Sequence, residues 1–312
     1  VLNVDDPDRV LDHACCVILD RFTSWLQAFP DLNRKAYSAV LALSKFMGPG
    51  EKPKYVYTDN SGELEKALSE LGVDHDKSIP HFPQTNGVIE RAMRRVSEGT
   101  SCALWQSGLN HEWWGRAARC YCFARNAVDI LACGKTPWEK RWGESFNACA
   151  LIPFGALVEY KPTNPDDIAR LEPFGKKMLH GLFIGYAQRS GGSFADSYKL
   201  IDIEELSWYD HVTQVHVKRI PHKQVFALLD AKGNFQFPAV EDDFIQPEGP
   251  CGRRPSMYQK NTFRKSNQPR NKVSGERASG TATAEEGSTT EDPGDITYTD
   301  NDSDISEFKG EL

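Results

Sequence analysis

The chain has 312 residues, 39% of them hydrophobic and 26% charged, with a formal net charge of −7. That length suits one fair-sized domain with a real core and a smaller second one. No apolar run is long enough to cross a bilayer and no basic-then-apolar leader opens the chain, so the expectation is a soluble, intracellular protein with no membrane partner. The negative balance argues at first sight against a nucleic-acid partner.

The sequence begins at Val1 without an initiator Met, and reads as a fragment of a longer product. From Asp12 to Phe29 two apolar stretches flank Asp20-Arg21 and predict a β-hairpin, with Asp20 in the turn. Ala36 to Met47 predicts a helix that buries Val40, Leu43 and Met47 or else Leu41 and Phe46, and Gly48-Pro49-Gly50 stops it. Tyr55-Val56-Tyr57-Thr58 is a short strand that delivers Asp59 to its C-terminal tip, where Asn60-Ser61-Gly62 turns the chain. Leu64 to Leu71 predicts a short helix.

A loop rich in Pro, Asn and Gly, His81 to Gly87, then runs into a longer helical pattern. On it Ile89, Met93 and Val96 recur at i, i+4, i+7 as the expected buried stripe, with Glu90, Arg94 and Ser97 one step round. Trp113 through Asp129 predicts another helix. Its paired Trp113-Trp114 could stack on bases, but such pairs are more often core or interface, which is the favoured reading. Ile152 to Tyr160, Gly181 to Tyr186 and Tyr198 to Asp202 predict short strands of a small β module from about Phe154 to Phe226.

Beyond Pro238 the composition offers too little hydrophobicity to offset the entropy of ordering, which predicts a disordered tail. Arg253 to Arg277 holds eight Lys or Arg against Glu276, and Ala278 to Leu312 holds ten acids against Lys309. The acidic run alone carries −9 and leaves +2 for the remainder, so net charge no longer excludes a nucleic-acid partner. The basic run suits a DNA-contacting arm, a nuclear import signal or a solubilising linker. The eight cysteines show no metal-ligand spacing, since Cys15 and Cys16 are adjacent and Cys120 and Cys122 flank one residue. Reduced, buried thiols are expected.

The chemistry concentrates at Asp59 and Glu90. Two carboxylates from a strand tip and a helix suggest a magnesium site, because hard cations take oxygen ligands and are usually shared between carboxylates and substrate phosphates. Each acid alone also has a bland reading, as a turn Asp and as a Glu four residues before Arg on a solvated helix face.

Taken together, Thr58-Asp59-Asn60-Ser61-Gly62-Glu63 and Pro83-Gln84-Thr85-Asn86-Gly87-Val88-Ile89-Glu90-Arg91 resemble the second and third acid blocks of retroviral-type integrases, most closely those of copia-type retrotransposons. Thirty residues separate the two acids, somewhat tighter than in retroviral enzymes. The Asp12–Phe29 hairpin resembles the second and third strands of that core. Lys135 to Lys140, Ile152 to Tyr160, Gly181 to Tyr186 and Tyr198 to Asp202 resemble segments that follow it in copia-type elements.

The resemblance implies an α/β, ribonuclease-H-like mixed sheet with flanking helices, followed by a small β-rich module and a disordered tail. The division that follows is catalytic core 1–130, connector 131–153, β-rich module 154–237 and basic-then-acidic tail 238–312. The implied activity is DNA integration in the nucleus: trimming of the element's DNA end and strand transfer into target duplex, by a homo-oligomer when complete. Asp59 and Glu90 would be catalytic and hold two Mg2+ (or Mn2+) ions that activate the attacking oxygen and stabilise the leaving one. Asn86 and Gly87 would meet the DNA end, and Arg91, Arg94 and Arg95 its phosphates. The family's third acid, on a first strand, is expected upstream of this sequence, with Asp5 or Asp6 a poor second. Two rival readings are a non-catalytic nucleic-acid-binding remnant of an integrase and a hydrolytic nuclease of the same fold.

Overall fold

The computed structural model describes residues 12–78, 87–209, 211–240 and 246, all within one compact unit spanning Val1–Arg254. The first hairpin joins β1 (Ala14–Leu19) and β2 (Leu26–Asp31) in antiparallel register from Ala14↔Asp31 to Leu19↔Leu26. Asp20 builds the turn, its carboxylate accepting from Phe22 N at 3.0 Å and from the Thr23 hydroxyl. This is a sufficient structural role for that acid.

The alternation of β1 sends its side chains to two helical layers. Cys15, Val17 and Leu19 pack with α3 (Gly87–Ser107) and α4 (Trp114–Val128), whereas Ile18 packs with α1 (Ala36–Met47) and α2 (Gly62–Leu71). On α1 the inward side carries Ala39, Val40, Leu43 and Met47, the first of the two expected sets, and Leu41 is exposed. β3 (Val56–Thr58) and β4 (His75–Lys77) run parallel across the α2 crossover.

A single mixed sheet is expected here. Among the described residues, β1–β2 and β3–β4 are separate two-stranded ladders. They meet through side chains, Ile18 and Val56 sharing one apolar cluster, rather than through main-chain bonds.

On α3 the expected Ile89–Met93–Val96 stripe is also corrected. Ala92, Val96 and Thr100 are buried with Ile89 packed beside them, and Met93 is 53% exposed. The helix settles on its small side chains: Ala92 faces Ala28, Ala118 and Cys122, a close approach that a Met at the same place would prevent.

Residues 157–227 form a five-stranded antiparallel sheet, order β8-β7-β6-β5-β9, from β5 (Leu157–Tyr160), β6 (Leu179–Gln188), β7 (Phe194–Asp202), β8 (Lys218–Pro221) and β9 (Val225–Ala227). Packing is continuous from the first hairpin into this sheet. One apolar cluster takes in Trp25, the fully buried Trp113, Phe123 of α4 and Trp138 of α5 (Pro137–Trp142) together with Phe183, Ile184 and Tyr198 of the sheet. Phe123 stacks on Tyr186 with ring centroids 4.1 Å apart. Gln27 Nε2 donates to Gln188 Oε1 at 2.8 Å, and Gly191 N donates to Lys45 O at 2.7 Å. Trp113 is therefore a core residue, and Trp114 Nε1 donates to Asp12 O.

Below the sheet lies a buried ionic network. Asp202, fully buried, accepts from the Tyr160 hydroxyl at 2.5 Å, from both Arg170 Nη atoms and from Glu205 N at the start of α7 (Ile203–Leu206). Lys218 bridges Glu205 and Asp167 of α6 (Pro165–Ala169), at 2.6 Å to each. The described cysteines are free thiols, Cys120 and Cys122 being buried. Among the described residues no helix is long and apolar enough to cross a membrane.

Candidate active site

Thr58 ends β3 inside the core and Asp59 emerges exposed at its tip. The tip is tied down on both sides. Ser78 N donates to Thr58 O and Asn60 Nδ2 donates to Ser78 O, each at 2.9 Å, which fixes the exit of β3 against the end of β4. Asp59 Oδ1 accepts from Ser61 N at 3.3 Å, an Asx-type turn that leads into α2. Burial pushes the thiol of Cys16 on β1 up to about 11, and the Asp59 charge adds to the effect.

Glu90 sits exposed in the first turn of α3, where the helix dipole favours an acid. At about 100° of rotation per residue, Arg94 lies roughly 40° round from Glu90, Arg91 roughly 100° and Arg95 roughly 140°, all in the same sense, so Arg94 stands between Glu90 and Arg91. Asp59 and Glu90 stand on a strand tip and a helix start and are both open to solvent. No hydrogen bond or ion pair joins them, and among the described residues no group of three His, Cys, Asp or Glu is placed to hold a metal. The donors suit a hard cation in kind, being carboxylate oxygens that no Lys or Arg engages among the described residues. Gly87 opens α3 with nothing within 4 Å of a Cβ built on it, so bulk alone does not demand glycine there. Asn86, Asp5 and Asp6 lie outside the described residues.

Sequence reasoning passes over Arg125. Its side chain is 4% exposed, and Nη1 donates to Ser24 O at 2.8 Å and to Asn126 Oδ1 at 3.2 Å. Burial lowers its pKa, with the nearby Arg95 charge acting in the same direction against Asp129. With Arg91 and Arg95 it walls a cavity of about 280 Å³ between the hairpin, α3 and α4. The polar pair Arg125-Asn126 inside the otherwise largely apolar run Cys120 to Val128 is the signal that could have revealed it.

No family model matches the sequence. Among curated proteins, the chain is 35% identical over 149 residues to the retrovirus-related Pol polyprotein from transposon TNT 1-94 of Nicotiana tabacum, covering 46% of this chain and 11% of that protein. It is 26% identical over 179 residues to the corresponding polyprotein of transposon RE2 from Arabidopsis thaliana, covering 55% of this chain and 12% of that one. The chain thus spans about a tenth of the length of these relatives. Among solved structures, a simian T-cell lymphotropic virus intasome in complex with a PP2A regulatory subunit matches at 16% identity and a TM-score of 0.35, over 69% of this chain and 72% of that one. The BIV integrase catalytic core matches at 20% identity and 0.32, over 39% and 81%.

The sequence matches make the chain a relative of the Pol polyproteins of retrotransposons and retroviruses.

Proposed function

We propose that this chain is part of a copia-type integrase of ribonuclease-H-like fold that joins the ends of a DNA element to target duplex in the nucleus, working as a homo-oligomer when complete. The observation that carries this reading is the pair Asp59 and Glu90, two exposed acids on a strand tip and a helix start, in a sequence related to Pol polyproteins.

Asp59 and Glu90 would hold Mg2+ or Mn2+, which supplies activation of an attacking oxygen and charge stabilisation at phosphorus. The chain's own residues position the reaction. The bonds from Ser61 and Ser78 fix the tip that carries Asp59. Arg94, one helical turn from Glu90, binds a phosphate of the DNA end beside the acids, and Asn86 and Gly87 meet the DNA end. A third carboxylate is needed to complete such a site, and within this sequence Asp5 and Asp6 are its candidates.

The test is metal-dependent joining of a labelled duplex end into plasmid by the full product that carries this sequence. Joining that is abolished by Asp59→Asn and by Glu90→Gln, with duplex binding retained, supports the integrase. Cleavage without joining supports the hydrolytic nuclease. A second reading is a non-catalytic nucleic-acid-binding remnant. DNA binding with neither joining nor cleavage would establish it.

A further inference from the structure

We propose that Tyr57 is a stacking platform for a base at the DNA end, set on the same strand face as Asp59. The inference rests on the reading of Asp59 as a metal-holding acid that meets a DNA phosphate. β3 alternates along its length: Val56 packs into the apolar cluster of α1 and α2 and Thr58 is buried, whereas Tyr55, Tyr57 and Asp59 are exposed on the opposite face. Tyr57 and Asp59 are two residues apart, so their Cα atoms stand about 6.6 Å from each other along the strand. A phosphate held at Asp59 therefore carries its sugar and base within reach of the Tyr57 ring.

The strand beneath the ring is held on its other side. β3 pairs in parallel with β4 from Val56↔His75 to Thr58↔Lys77, and Tyr57 lies opposite Asp76. The Tyr55 hydroxyl donates to the Asp76 carboxylate, which accounts for the first of the two rings. Tyr57 makes no hydrogen bond among the described residues and is 43% exposed. Strands of a parallel pair are ordinarily covered on both faces, yet this face presents two tyrosines to solvent. A flat ring beside a phosphate-binding acid suits a nucleobase, because every base has a π face and stacking asks for no particular sequence. Asp59 and Asp76 give the face negative charge, so a phosphate chain approaches it only with a cation at Asp59. The uncharged base meets no such barrier at Tyr57.

The experiment measures, by fluorescence anisotropy with Mg2+, the affinity of the full product that carries this sequence for a short labelled duplex. The duplex is blunt and lacks 3′-hydroxyls, so binding is read without joining. It is used intact and with the terminal two nucleotides of each strand made abasic. Tyr57→Ala, at an exposed position, should weaken binding of the intact duplex about 5–10-fold, and Tyr57→Phe should keep the parent affinity. The parent should bind the abasic duplex about as weakly, and Tyr57→Ala should add nothing further there, because ring and bases report one contact. Equal weakening of both duplexes by Tyr57→Ala, or of neither, overturns the platform. A loss in Tyr57→Phe as large as in Tyr57→Ala assigns the effect to the hydroxyl and overturns stacking. Joining of an end that keeps its 3′-hydroxyl is scored in parallel. Joining without the coupling leaves the integrase reading intact and removes Tyr57 from it, whereas coupling without joining keeps the platform and overturns that reading.

Discussion

Asn126 on α4 holds both main-chain groups of Leu26 on β2: Leu26 N donates to Asn126 Oδ1 at 3.1 Å, and Asn126 Nδ2 donates to Leu26 O at 2.8 Å. The amide imitates a neighbouring strand at one residue, so the hairpin is positioned on the helix by direction as well as by packing. Both partners are buried, and truncation strands a donor and an acceptor at about 1–3 kcal/mol each. Asn126→Ala should therefore cost about 2–4 kcal/mol in urea unfolding. A loss below about 0.5 kcal/mol would show that water replaces the amide and that the pairing is incidental.

Gly155 meets the end of α3 as closely. It has φ of +78°, and a Cβ built there would stand 2.2 Å from Ser107 Cβ and 3.0 Å from Ser107 Cα. Gly155→Ala combines a left-handed backbone cost of about 1–2 kcal/mol with overpacking of about 1–3 kcal/mol. A double-mutant cycle with Ser107→Gly separates the two. The second change should recover the overpacking part only, giving a coupling energy of at least about 1 kcal/mol. Additive effects would mean that the helix end moves away freely.

The network under the β sheet predicts a pH dependence of stability. Burial pushes the Asp202 carboxyl up, but the bonds from Arg170, Tyr160 and Glu205 N outweigh it and leave the pKa below the usual aspartate value. A group depressed in the folded state stabilises above its unfolded pKa, about 3.9, and loses that contribution as pH falls through the folded value. Glu205 goes the other way: burial dominates and raises its pKa, so its ionised form costs stability at neutral pH and acidification relieves that cost. Asp202→Asn should lose about 3 kcal/mol at neutral pH, with the gap to the parent narrowing below about pH 4. Chemical denaturation of both proteins across that range checks it. A gap constant with pH would assign Asp202 a role in shape rather than charge.

Much of this was legible before the fold was known, wherever one local signal decided the outcome. The hairpin around Asp20, the helix Ala36–Met47 and the strand that ends before Asp59 all follow from turn residues and short-range periodicity. What escaped depends on partners distant in sequence. Met93 turns outward because Ala92 is small enough to meet Ala118 and Cys122, and spacing along α3 cannot report what faces it. The continuity of core from Trp25 through Phe123 to Tyr186 is likewise a matter of long-range contact. Arg125 was missed because its meaning comes from Arg91 and Arg95 across the cavity.

The charges of Glu90 and Arg94 on α3 should be coupled in binding experiments. Glu90 and Arg94 share one flank, so a DNA phosphate near Arg94 also lies near the Glu90 charge. In metal-free buffer that acid repels the phosphate, and Glu90→Gln should tighten duplex binding by about 2–5-fold while abolishing joining once metal is supplied. Arg94→Ala should weaken binding and lower the salt slope by about 1, as expected for the loss of one phosphate contact. The two effects should be coupled, Glu90→Gln gaining less when Arg94 is gone, because the same phosphate reports both charges. Fluorescence anisotropy of a labelled duplex across a salt series measures all four proteins. Independence of the two changes would place Glu90 and Arg94 at different phosphates and remove Arg94 from the candidate site.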